Sequence, residues 1–171
     1  MKKDNRGFTI LEIIITLAIF SIVITMVGRF LITNLNNYNR INNSTEIIDQ
    51  AQFITSFLDL ELSQSAGIKK VKSTEGLSLL DSSLGSYIKY IELYTRDTSQ
   101  IGNPSFEIKN SKDIFYKNHS ELGTYVDKIY MAPIPHNISF KECRGVEYKI
   151  YFKKDNTTYN IEKSIYFRNK Y

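Results

Sequence analysis

A chain of 171 residues accommodates one domain and an appendage rather than several domains. Its 22 Lys and Arg against 18 Asp and Glu leave a net charge of +4, short of the basic stripe that nucleic-acid binding calls for. The one cysteine, Cys143, excludes an intrachain disulfide, and with only His119 and His136 beside it a closed Cys/His zinc site lacks ligands.

The average composition, 42% hydrophobic and 23% charged, hides a segregated amino terminus. Residues 1–7, MKKDNRG, carry Lys2, Lys3 and Arg6 against Asp4. Phe8 to Gly28 then contains no Lys, Arg or Asp and a single Glu12. A helix over residues 8–28 covers about 30 Å, the thickness of a bilayer's hydrocarbon core. The hydroxyls of Thr9, Thr16, Ser21 and Thr25 can bond back to helix carbonyls and so are compatible with a span. The basic residues ahead of the run predict a cytoplasmic amino terminus and an extracytoplasmic remainder. The run is longer than the apolar core of a signal peptide, about 7–15 residues. Arg29-Phe30-Leu31-Ile32 after it makes a poor signal-peptidase site, so the helix is expected to stay on the mature chain. Glu12 does not fit: a mid-helix acid costs roughly 2.5–3.5 kcal/mol on insertion. Proximity to the interface and the helix dipole would offset part of that.

Arg6-Gly7-Phe8-Thr9-Ile10-Leu11-Glu12 resembles the cleavage and methylation site of type IV prepilins and pseudopilins. The shared elements are a short basic leader, a glycine, a phenylalanine and a glutamate fifth after the cut, all opening an apolar helix. The resemblance implies that a prepilin peptidase cuts between Gly7 and Phe8 and that the new Phe8 amine is N-methylated. Loss of the leader would lower the net charge from +4 to +2. The resemblance further implies that Glu12 pairs with the terminal amine of a neighbouring subunit during assembly. Two unit charges 4 Å apart at an effective dielectric near 20 attract by about 4 kcal/mol, comparable with the insertion cost. Such a pair offsets burial without adding much stability, which suits a device for register.

Residues 29–66 are expected to form a stalk helix. No proline and one glycine, Gly28, occur between Phe8 and Ala66, but the asparagine-rich stretch 34–43 predicts a possible interruption. From Thr45 the pattern is amphipathic, with Ile47, Ala51, Ile54, Leu58 and Leu62 on one face and Ile48 and Phe57 broadening it. Asp49, Gln50, Gln52, Asp59 and Glu61 are expected largely on the solvent side, with Gly67 closing the helix as its C′ residue.

Residues 67–171 read as a β-rich head. Tyr87 to Tyr94 is a predicted strand whose inner face is ambiguous, because Lys89 and Glu92 fall on opposite sides. Val146, Tyr148, Ile150 and Phe152, then Tyr159, Ile161, Ile165 and Phe167 across Lys154-Asp155-Asn156, predict a hairpin. Phe106–Lys109, Ile114–Tyr116 and Ile138–Phe140 are further strand candidates, with Asn103-Pro104 and Pro133-Ile134-Pro135 marking loops. Lys69-Lys70-Val71-Lys72 reads as a solvated turn rather than a DNA patch.

The order of spanning helix, amphipathic stalk and β-rich head is similar to the α+β pilin fold, in which a long amino-terminal helix packs on an antiparallel sheet. Looser likenesses at residues 57–66 and 165–169 point to the J-type minor pseudopilins or the W-type minor pilins. Glu12 sets the chain apart from the K-type tip subunits, which lack it.

No catalytic constellation, phosphate loop, metal motif or cofactor site is found, so Cys143 reads as an inert thiol and the chain as a non-enzyme. The resemblance implies a minor pilin or pseudopilin that initiates or caps a type IV pilus or a type II secretion pseudopilus. Its partners would be other subunits, prepilin peptidase, the membrane platform of the assembly machine and, before assembly, the bilayer. Its location would be the cytoplasmic membrane, then the cell surface or pilus. Two alternatives stand beside it: a competence pseudopilin that contacts DNA, and a membrane-anchored extracytoplasmic binding domain.

Overall fold

The computed structural model describes residues 9–94, 103–109, 112–117 and 120–168. The chain falls into two units, Met1–Asn42 and Asn43–Tyr171. One α-helix, α1 (Ile10–Gln64, 55 residues), contributes to both. Residues 34–43 are helical throughout. Each asparagine there lowers helix propensity by only some tenths of a kcal/mol, whereas a break forces a second costly nucleation.

In the first unit every residue from Thr9 to Val27 is exposed within the chain, and the helix is long and apolar enough to cross a membrane. The helix-interior hydroxyls of this segment turn inward: Thr16 donates to the Glu12 carbonyl at 2.7 Å, Ser21 to Ala18 and Thr25 to Ser21, both at 2.8 Å. Satisfied in this way, they do not oppose an apolar solvent.

In the second unit, the Asn43–Gln64 part of α1 packs on an antiparallel sheet of eight strands. These are β1 (Ile68–Ser73), β2 (Ser86–Leu93), β3 (Ser105–Lys109), β4 (Asp113–Tyr116), β5 (Ser120–Gly123), β6 (Val126–Ile134), β7 (Gly145–Lys154) and β8 (Thr157–Tyr166). Their order is β5-β4-β3-β2-β6-β7-β8, with β1 on β2. The heptad-like stripe Ile47, Ala51, Ile54, Leu58 and Leu62 is fully buried, and it meets Ile88, Ile91, Phe106, Ile129, Met131, Tyr148 and Phe152 from the sheet in one core.

The helix ends at Gln64, not against Gly67. Ser65 closes the last turn through its N–H and hydroxyl on the Leu62 carbonyl. Ala66 already donates to Tyr94 and Gly67 accepts from it, so the chain leaves the helix directly into sheet pairing. Gly67 has φ 142°, a backbone setting that favours glycine, but as the entry to β1 rather than a helix cap. The predicted turn at Lys69–Lys72 is part of β1, with Ile68 and Val71 buried. Ile138–Phe140 is not a strand; it lies in turns after β6, where the Phe140 and Lys141 N–H groups bond to the Ser82 and Leu80 carbonyls.

Pro133 and Ile134 end a strand instead of marking a loop. The Ile134 carbonyl accepts from Arg144, so its backbone faces β7 and that of Pro133 faces the other way. On that side β2 has already finished, Ser86 pairing with Met131, and the missing proline N–H leaves no gap in the ladder.

β2 resolves its ambiguous face by a bulge. Tyr90 pairs with Lys72 and Ile88 with Ser73, leaving Lys89 as the extra residue. The parity shifts by one, so Ile88, Ile91 and Leu93 all point into the core while Lys89 is exposed.

Candidate functional site

Gly7 and Phe8 lie outside the described residues. What is described begins at Thr9, where the first helical turn is closed by two side chains. The Thr9 N–H donates to Glu12 Oε2 at 2.9 Å and the Thr9 hydroxyl to the same oxygen at 3.0 Å. The Glu12 N–H returns the contact to Thr9 Oγ1 at 3.3 Å. Ile13 N–H to the Thr9 carbonyl, 3.3 Å, is the first backbone bond of the helix. This is a capping box, in which two amide hydrogens without intrahelical acceptors are satisfied reciprocally. The Thr9 hydroxyl, expected to bond back to a helix carbonyl, instead caps the helix, as Thr-x-x-Glu ahead of an apolar run signals. Glu12 is exposed, and among the described residues no cation pairs with it. Its carboxylate therefore has one local partner and an open side toward whatever surrounds the helix.

A second set of polar side chains joins α1 to the sheet. Asp59 accepts from the hydroxyl of buried Tyr148 and from Lys163, the latter at 2.6 Å. Glu61 accepts from Tyr116 at 3.0 Å. Glu46 accepts from Tyr125 at 2.7 Å and pairs with Lys154. Asp59 and Glu61 were expected on the solvent side; both are half-buried and flank the apolar stripe. Lys163 occupies the inward parity of β8, where the alternating pattern calls for an apolar residue, because Asp59 lies opposite. These contacts tie the later turns of α1 to the sheet.

Cys143 is fully buried with its thiol directed at the Phe140 carbonyl, 3.1 Å. His136 is 70% exposed and 3.5 Å from Glu147, while His119 lies outside the described residues. Among the described residues no group of three His, Cys, Asp or Glu side chains could hold a metal ion.

Residues 2–28 match the family model described as the prokaryotic N-terminal methylation motif. No curated protein and no solved structure matches the chain. The motif, together with a long apolar helix and an antiparallel sheet packed on its later turns, supports a structural subunit of the type IV pilin or pseudopilin kind. Assembly with other such subunits, processing by prepilin peptidase and an inner-membrane anchor fit the same motif.

Proposed function

We propose that the protein is a minor pilin or pseudopilin that enters a type IV filament or secretion pseudopilus at its start or its tip. The observation that carries this is the methylation motif at residues 2–28, set directly against an apolar helix that begins at Ile10. Prepilin peptidase cuts between Gly7 and Phe8 on the cytoplasmic side, and the Phe8 amine is methylated. The basic leader holds that end in the cytoplasm and the head crosses to the other side. The subunit then waits in the bilayer, anchored by residues 8–28.

Glu12 acts when the helix leaves lipid for the filament. Its carboxylate is within reach of the first turn and exposed, so a neighbouring subunit's amine can take it up in place of, or alongside, the Thr9 hydroxyl. The pair forms in a low-dielectric setting, where a mispositioned charge is penalised, and so fixes axial register more than it adds affinity.

The test is incorporation. Gly7→Ala and Glu12→Ala should both remain in the membrane fraction and both be missing from sheared filaments or the assembled pseudopilus. Gly7→Ala should fail because it is not cut, and Glu12→Ala although it is. Normal incorporation of both variants contradicts the proposal.

A further inference from the structure

The strand β1 carries a lysine cluster that the filament reading does not use. Lys70, Lys72 and Lys89 line one pocket of about 380 Å³ with Ser73, Gly76, Tyr90 and Glu107. Several other lysines of the head have carboxylates, among them Lys69 on Glu92 at 2.8 Å, Lys149 on Glu162 at 2.8 Å and Lys163 on Asp59 at 2.6 Å. None of the three pocket lysines has one among the described residues. Lys72 Nζ stands over the Tyr90 ring, 5.9 Å from its centroid. Glu107, the carboxylate on the lining, is drawn toward Lys109 at 3.6 Å.

The pocket is built by the fold rather than by chance proximity on a flexible loop. Lys70 and Lys72 stand two apart on β1 and so share a face. Lys89 is the bulge residue of β2, and it joins the other two because the bulge opposes it to the Lys72–Ser73 step. Removing the bulge would restore the alternation and send the lysine elsewhere. Three ammonium groups around one concavity repel one another, and an oxyanion among them removes that repulsion and gains charge-assisted hydrogen bonds.

We infer that this pocket binds a phosphate group, free or esterified. The concavity has room for such a group, and three lysines against one countered carboxylate leave the surplus of positive charge that it needs. The inference is independent of the filament proposal, since it concerns side chains of the head alone.

Chemical-shift titration of the full chain in uncharged detergent micelles, at low and constant ionic strength, tests it. Two probes separate the sources: inorganic phosphate stands for a free or terminal group, and dimethyl phosphate for the diester of a polymer or lipid. Saturable shifts confined to residues 70–76, 89–90 and 107 with either probe support the inference. Response to both identifies a diester-tolerant site, and response to phosphate alone a terminal-phosphate site. Lys72→Gln and Lys89→Gln should each weaken binding by about tenfold, as loss of a charge-assisted contact does. Glu107→Gln should tighten it by about twofold, a gain that misfolding cannot produce. Lys153→Gln, an equal loss of charge at another place, should leave it unchanged. No saturable shift with either probe, or equal weakening by Lys153→Gln, overturns the inference.

Discussion

At the scale of single residues, Tyr148 and Asp59 show how the head is pinned. Tyr148 is fully buried, so its hydroxyl has to find an acceptor within the protein, and Asp59 on α1 supplies it. Burial, then the bond to Asp59 and its charge, push the Tyr148 hydroxyl well above its ordinary value of 10.0. Burial and Glu61 do the same to Tyr116. Lys149 and Lys154 are raised as well, by Glu162 and Glu46 respectively. All four have folded values above unfolded ones, so their contribution is complete below about pH 10 and is lost as the pH rises through the folded values. Glu46 works at the other end: bonds from Lys154 and Tyr125 hold its carboxyl below the usual 4.5, and that contribution is lost as the pH falls through the folded value. The urea midpoint of the head, followed by circular dichroism from pH 8 to 11.5, should therefore decline from about pH 10. Tyr148→Phe should lower the midpoint at pH 8 and decline less steeply. Parallel declines of the two proteins would mean that the buried phenol does not govern alkaline stability.

Among the elements, the contact of α1 with the sheet is the one on which the head depends. Leu58 is 1% exposed and lies between strands β2, β3 and β6 and the helix axis. Leu58→Ala should cost about 2–5 kcal/mol, the range for emptying a buried leucine site, in chemical denaturation of the full chain. Leu60→Ala, two residues on and 50% exposed, should cost well under 1 kcal/mol, and similar losses from both would contradict the assignment of faces. That stripe was readable from spacing alone, as was the β7–β8 hairpin, because in both places period and burial agree. What could not be read has specific causes. Lys89 sits in a bulge, so no single alternation describes β2. Pro133 sits in a strand because β2 stops short of it. Asp59 and Glu61 look solvent-facing in a helical wheel, and only the sheet's Tyr148, Lys163 and Tyr116 reveal otherwise. Gly123 belongs to the same class: a methyl there would stand 2.9 Å from Ile54 Cδ1 and closer to Gln50 Oε1, so β5 is placed by a close approach that spacing does not encode.

For the whole molecule, two solvents select two kinds of sequence. The first unit exposes Ile10, Leu11, Ile13, Ile14, Phe20 and their neighbours along the helix, a surface that lipid or other apolar helices can cover and water cannot. The second buries its apolar residues against its own sheet. The methylation motif lies at the start of the first unit, and on the function proposed above that exposed surface serves storage in a membrane and then packing among like helices in a filament. On the proposed function the chain reaches that filament only after a cut between Gly7 and Phe8. That cut is tested most directly by intact-mass and amino-terminal peptide analysis of the membrane-extracted protein, produced with a prepilin peptidase present. The expected product begins with N-methylated Phe8, and an unprocessed Met1 terminus is expected when Gly7 is replaced by Ala. A wild-type protein that keeps Met1 beside an active peptidase would contradict it.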